Sequence, residues 1–190
     1  MDALFHLRDH GYEHLTELTM DGLLSRLTET TWVRTGAVLG PEDRVEALRS
    51  QVPPRLVLSH STAWWIHTGL GRAPSPLTFI TVPRRRFVED IDAVVHELRL
   101  SRDDFTVIGG LGVTTEERTL FDLLLPFARS RTATADRDRS TLSISAVRHL
   151  VEEMPVPARR RFSLYLEGIS RRPYVGHVRD IFHQVCAGLG

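Results

Sequence analysis

Histidines, one cysteine, paired acids and clustered arginines are the groups of this sequence that could do chemistry. Of the nine histidines, His6, His10 and His14 fall at i, i+4 and i+8 and would line one face of an unbroken helix, where metal ligands can converge. Gly11 weakens that helix, and no second cluster supplies a carboxylate or thiolate at ligand spacing. Exposed or capping histidines are therefore expected, with no metal and no cofactor. His177 and His183 are six apart and do not share a helix face. Ser59–His60 pairs a hydroxyl with a base, but neighbours at a helix start point to different sides and no G-x-S-x-G elbow surrounds them. Ser59 or Ser61 reads better as the N-cap of an apolar helix. The run GGLG at 109–112 follows a strand and precedes another, so no helix dipole is aimed at a phosphate, and turn chemistry accounts for it. The acid pairs Glu89–Asp90, Asp103–Asp104 and Glu116–Glu117 are each local to a turn or helix start, and no catalytic residue is assigned.

Arginine carries more information. All 24 basic residues are arginine and none is lysine, which excludes a Walker-type phosphate lysine, a Schiff-base lysine and a lysine-dependent nuclease site. Arg84, Arg85 and Arg86 follow a strand. Arg159, Arg160 and Arg161 on one side and Arg171 and Arg172 on the other mark the two ends of one helix, residues 157–170. Guanidinium forks suit phosphate or carboxylate partners, so these eight residues are the candidate nucleic-acid or partner-binding set. Their bland alternative is a solvated face paired with carboxylates. The net charge is zero but unevenly spread: residues 1–50 hold nine acids and five arginines, a net −4, and the remainder carries the opposite +4. Any phosphate footprint is expected in the later part.

The elements that must position these groups can be read in order. Residues 3–15 suggest a helix interrupted by Gly11, and 19–29 a second, with Thr19 or Asp21 as N-cap and Leu23, Leu24 and Leu27 on one face. TWVRTGAVL (31–39) suggests two short strands in a hairpin or wing, and 41–50 a helix opened by Pro41. Beyond Pro53–Pro54, RLVLS suggests a strand and STAWWIHTGL a helix ending at Gly69 or Gly71. Strands are expected at 77–83 and 93–100, and a hairpin at 104–115 turning at Gly109–Gly110. A helix then starts at Thr114 or Thr115 with Leu120, Leu123 and Leu124 toward the core. Residues 129–142 read as a polar loop, followed by helices at 143–153, 157–170 and 174–187. No apolar run approaches the roughly 20 residues of a membrane span. The N-terminus lacks the basic-then-apolar order of a signal peptide, and one cysteine, Cys186, allows no internal disulfide. A cytoplasmic protein is expected.

VLSHSTAWWIHTGLG, PLTFITVPRRR and AVVHELRLSRDDFTVIGGLGVTTEERTLFDLL, taken in that order over residues 55–126, resemble the domain of actinobacterial AbiEi-family antitoxin-like proteins. Ser59, His60, Ala63, Val82, Pro83, His96, Leu100, Asp104, Gly110, Thr114, Arg118, Thr119, Leu120 and Asp122 occupy the places of that pattern. The family opens with a winged-helix domain whose recognition helix is arginine-rich and precedes a wing. Here WVRTGAV is wing-like, but the preceding DGLLSRLTETT has almost no basic residue. Some relatives carry a repair-type endonuclease domain afterwards, a site this lysine-free sequence cannot build.

The resemblance implies an α+β fold: a small winged-helix-like N-terminal segment (1–52), then a mixed α/β domain with a β-hairpin and C-terminal helices (53–190). It implies a non-enzymatic antitoxin-like regulator that counteracts a nucleotidyltransferase-type toxin, with operator DNA as a second partner through autorepression. A DNA-binding repressor without a toxin partner, and an orphan interaction module, are the alternatives.

Overall fold

The computed structural model describes residues 3–82, 92–130, 147–169 and 172–188. It is an α+β protein, and the chain separates into two compact units, Met1–Thr115 and Glu116–Gly190. The expected boundary at 52/53 falls inside the first.

The first unit begins with strand β1 (Leu4–His6), a single turn of helix α1 (Leu7–His10) and helix α2 (Tyr12–Met20). Strands β2 (Leu24–Arg26) and β3 (Thr31–Arg34) follow, and the three strands form an antiparallel sheet in the order β1-β3-β2. Its small core is Leu15, Leu24 and Trp32, with Phe5, Leu7 and Leu18 packed against it. This corrects three expectations. Residues 3–15 are not one interrupted helix, because Leu4–His6 pairs with Thr31–Val33. The helix expected at 19–29 is instead the end of α2, a turn and β2. Gly22 at φ 73° stops α2, and the Thr-rich stretch 28–31 turns the chain through bonds from the Leu27 and Thr28 amides to the Thr31 carbonyl, where β-branched residues disfavour helix. TWVRTGAVL therefore contributes one strand, and the wing-like hairpin pairs it with β2.

Helix α3 (Pro41–Leu48) starts at a proline whose missing N–H would have no partner there anyway, and the Asp43 carboxylate accepts the Gly40 amide at 2.8 Å. It leads through a 3-10 turn (Arg49–Gln51) into a five-stranded mixed sheet of order β6-β5-β4-β8-β7. Those strands are β4 (Leu56–Leu58), β5 (Leu77–Thr81), β6 (Ala93–His96), β7 (Phe105–Ile108) and β8 (Leu111–Thr114). β4 and β5, at the centre, are buried along their whole length, as strands covered on both faces must be. β6 is shorter than the expected 93–100. The turn between β7 and β8 is the expected Gly109–Gly110 pair, with φ 54° and 83°, the double positive φ that a two-residue hairpin of matching twist demands.

Helix α4 (His60–Thr68) lies between β4 and β5 in the chain and packs on the sheet. Ser59 is at its N-cap position and Gly69, at φ 69°, closes it. Ala63, Trp65 and Ile66 enter a core with Leu58, Phe79 and Val113, and α3 adds Val45 and Leu48.

The second unit is helical. Helix α5 (Glu116–Ser130) buries Leu120 and Leu124 and half-buries Leu123. Residues 147–152 form α6, and α7 (Val156–Gly168) and α8 (Val175–Ala187) follow. α5 packs against both α7 and α8, and Phe162 meets Phe182 edge-on at 4.9 Å between ring centroids. The expected loop at 129–142 lies outside the described residues except for its first two, which end α5.

Candidate partner-binding surfaces

Helix α2 directly precedes β2 in the chain and packs against it. The residues α2 exposes are Tyr12, Glu13, His14, Glu17 and Met20, the two apolar ones 58% and 83% exposed. Phosphate would meet carboxylates along this face and no guanidinium. His6, His10 and His14 are dispersed over β1, α1 and α2, so the i, i+4, i+8 face does not form. His6 Nδ1 lies 3.2 Å from Thr31 Oγ1, His10 rests against Phe5, and His14 is exposed beside Glu17. Among the described residues no three His, Cys, Asp or Glu side chains are close enough to hold a metal ion. His177 and His183 are both exposed on α8.

The arginine candidates divide by environment. Arg84, Arg85, Arg86 and Arg171 lie outside the described residues. Arg159 turns back on the end of the preceding segment, its Nε donating to the Met154 carbonyl at 3.0 Å and Nη2 to the Glu152 carbonyl at 3.4 Å. Arg161 donates Nε to Glu117 at 3.1 Å and Nη2 to Glu116. Those two acids, in the first turn of α5, hold its guanidinium above its ordinary pKa, chiefly through the Glu117 hydrogen bond. Arg172 lies over the rings of Phe121 and Tyr165, 5.7 and 5.9 Å from their centroids. Arg160, on the exposed side of α7 with Val156 and Leu164, makes no hydrogen bond or ion pair among the described residues, whereas the equally exposed Arg161 is paired. Three neighbouring arginines thus have three different environments, which spacing alone does not reveal.

The residues of the sequence pattern have framework positions. Ser59 and Ala63 are fully buried at the start of α4. Ser59 Oγ is 3.0 Å from His60 Nδ1, but with no exposure Ser59 is not presented to a substrate. His60 takes φ 47°, where the chain turns from β4 into α4, and its ring stacks on that of His96 from β6 at 4.1 Å. Asp104 accepts the Ser101 amide at 2.7 Å, Thr114 is buried in β8, and the Thr114 carbonyl lies 2.7 Å from His67 Nε2. On α5, Arg118 donates Nε to Asp122 at 2.7 Å across one turn, both side chains nearly inaccessible. A buried pair of this kind adds little net stability, because desolvating both charges offsets most of their attraction. Val82 ends the described part of β5's exit, and Pro83 lies outside it. Cys186 is half-buried, and burial raises its thiol pKa against a smaller opposing effect of the Arg159 charge.

Spacing gave no sign of Arg44. It is buried on α3, with Nη1 donating to the Leu39 carbonyl at 2.7 Å and Nε to the Ile66 carbonyl at 2.8 Å. Nη2 reaches the His67 carbonyl at 3.4 Å. It thereby places a cation at the C-terminal end of α4.

The fold and these surfaces define an α+β protein of two units, the first winged-helix-like at its start. No protein-family model matches the chain, and no curated protein matches it. Among solved structures, the crystal structure of RV2827C protein from Mycobacterium tuberculosis is similar at 16% identity and a TM-score of 0.41, over 98% of this chain and 74% of that one.

Proposed function

We propose that the protein works by binding, as an antitoxin-like regulator that counteracts a nucleotidyltransferase-type toxin, with repression of its own operon as an accompanying role. The observation that carries this reading is the exposed face of α2. Where a DNA reader needs cations, this helix presents Glu13 and Glu17 with Tyr12 and Met20. Large exposed apolar side chains rimmed by charge suit a protein partner better than a phosphate backbone. The likeness of residues 55–126 to AbiEi-family antitoxin-like proteins supplies the kind of partner. No catalysis is assigned to the chain itself.

The test is co-expression with the product of the adjacent gene, which should be a nucleotidyltransferase-type protein that arrests growth when expressed alone. Relief of arrest by this chain, lost in Glu13→Arg/Glu17→Arg, is the expected result. Arrest that persists despite soluble wild-type protein would sink the reading. The second reading, a repressor without a toxin partner, is favoured by the β1-β3-β2 order with its wing-like hairpin, and predicts specific binding to the upstream DNA that survives deletion of the neighbouring gene.

A further inference from the structure

Strand β7 forms one edge of the five-stranded sheet. Its pairing with β8 runs from Phe105↔Thr114 to Ile108↔Leu111, around the Gly109–Gly110 turn. In a two-residue hairpin the residues flanking the turn exchange both backbone bonds, and bonded pairs then alternate along the ladder. Thr106 and Val113 are therefore a bonded pair, and the Thr115 amide donating to the Asp104 carbonyl at 3.0 Å marks the next one. The amides and carbonyls of Phe105 and Val107 consequently point away from β8, and among the described residues nothing bonds to them. The side chains repeat the pattern. Val107 stands opposite Gly112, which offers it no cross-strand neighbour, and is left 67% exposed. Thr106, on the other face, is exposed as well. Protected edges carry a charge, a proline or a bulge, and Phe105–Ile108 has none of these.

We propose that β7 is a self-association edge, which pairs antiparallel with β7 of a second copy about a two-fold axis at Thr106. In this register Phe105 of each copy lies opposite Val107 of the other, and each such pair exchanges both outward backbone bonds. Each exposed Val107 gains an aromatic neighbour in place of the side chain that Gly112 lacks, and aromatic with β-branched is a stabilising cross-strand combination. Thr106 meets Thr106 of the second copy across the axis at a Cα separation of about 4.5 Å. Charge at the two ends is complementary. Asp103 is exposed and makes no hydrogen bond or ion pair among the described residues, and the register carries it toward the other copy's Gly109–Gly110 turn. Arg49 stands at that turn, donating Nη2 to the Gly109 carbonyl at 2.5 Å and Nε to Glu46. A guanidinium with one edge of its fork at the turn can take a second carboxylate. The inference is independent of the antitoxin reading, since it needs neither the α2 face nor a toxin.

The test is sedimentation velocity of the full chain from micromolar to millimolar concentration. The parent should pass from monomer to dimer across this range. Val107→Lys puts a charge on the edge and should weaken the dimer by at least about tenfold, because the two-fold axis removes two side-chain pairs at once. Val107→Pro should do the same by deleting an outward amide, with no bond of the sheet lost. Both variants should unfold in urea like the parent at monomer concentrations, and if Val107→Pro does not fold, Val107→Lys decides. Glu13→Arg/Glu17→Arg should dimerise as the parent does, which separates this edge from the α2 face. Cross-linking reads the register. Thr106→Cys should oxidise to a covalent dimer, its Cα separation suiting a disulfide, while Val107→Cys and the parent, which retains Cys186, should not. Three results would overturn the proposal: a parent that stays monomeric to millimolar concentration, a dimer that Val107→Lys leaves intact, or equal cross-linking at positions 106 and 107.

Discussion

Arg44 shows how one side chain can decide a junction. Its guanidinium is buried, which lowers its pKa against the opposing pull of Asp43, yet it stays charged at any ordinary pH. The compensation is three backbone carbonyls, two of them at the end of α4. Gly69 must be small beside it, since a Cβ there would come within 2.7 Å of Arg44 Nη1 at a φ of 69°. Arg44→Ala is expected to cost about 2–4 kcal/mol in urea unfolding, as charge-assisted bonds are lost and carbonyls are left buried. Arg44→Lys should restore only part of this, because a point ammonium cannot reach carbonyls spread around a planar fork. A fully stable Arg44→Ala protein would mean water replaces the guanidinium there.

At the scale of elements, α4 organises the first unit. It is short, begins with a non-glycine residue at positive φ, and ends on glycine, so its own propensity is small. Packing holds it. Adjacent tryptophans cannot both face the sheet, and Trp65 is the one buried, at 3% exposure, while Trp64 is half-buried. Trp65→Ala should therefore destabilise by about 3–5 kcal/mol, with Trp64→Ala costing less than half as much. Equal melting of the two variants would contradict the burial of this helix. The wing is built differently: its hairpin is only a few residues long, and Trp32 on β3, with Leu15 and Leu24, supplies its core.

For the whole molecule the organising quantity is charge. Neutral overall, the chain is acidic over residues 1–50 and basic beyond them, the reverse of a protein whose N-terminal helix grips DNA. Within the basic part, Arg159 and Arg161 are committed to partners of their own unit, while Arg160 makes no hydrogen bond or ion pair among the described residues. Binding to an anionic polymer such as duplex DNA should consequently fall with Arg160→Ala, and the slope of log K against log salt should flatten by about 0.9 for that one lost phosphate contact. Arg26→Ala, in the acidic segment, should leave both quantities unchanged. Arg161→Ala should lower stability instead, through the loss of Glu116 and Glu117 as partners. Anisotropy titrations at several salt concentrations separate these outcomes. Abolition by Arg26→Ala alone would make the N-terminal segment the DNA reader and promote the repressor reading.

The sequence by itself determined the elements whose signals are local. Pro41 at a helix start, Gly69 at a helix end, Gly109–Gly110 between β-rich arms and the leucines of α5 all carry their instruction within a few residues, and each element formed as expected. Composition alone likewise excluded lysine chemistry. What only tertiary structure decided was pairing at a distance. Leu24–Arg26 has leucine spacing that suits a helix, but edge pairing to β3 makes it a strand. Leu4–His6 becomes a strand because Thr31–Val33 lies beside it. The partners of Arg44 and the separate environments of Arg159, Arg160 and Arg161 were equally hidden. Each depends on carbonyls, carboxylates or rings brought close from other parts of the chain. An arginine's type announces that it can pair, but only the fold supplies the partner.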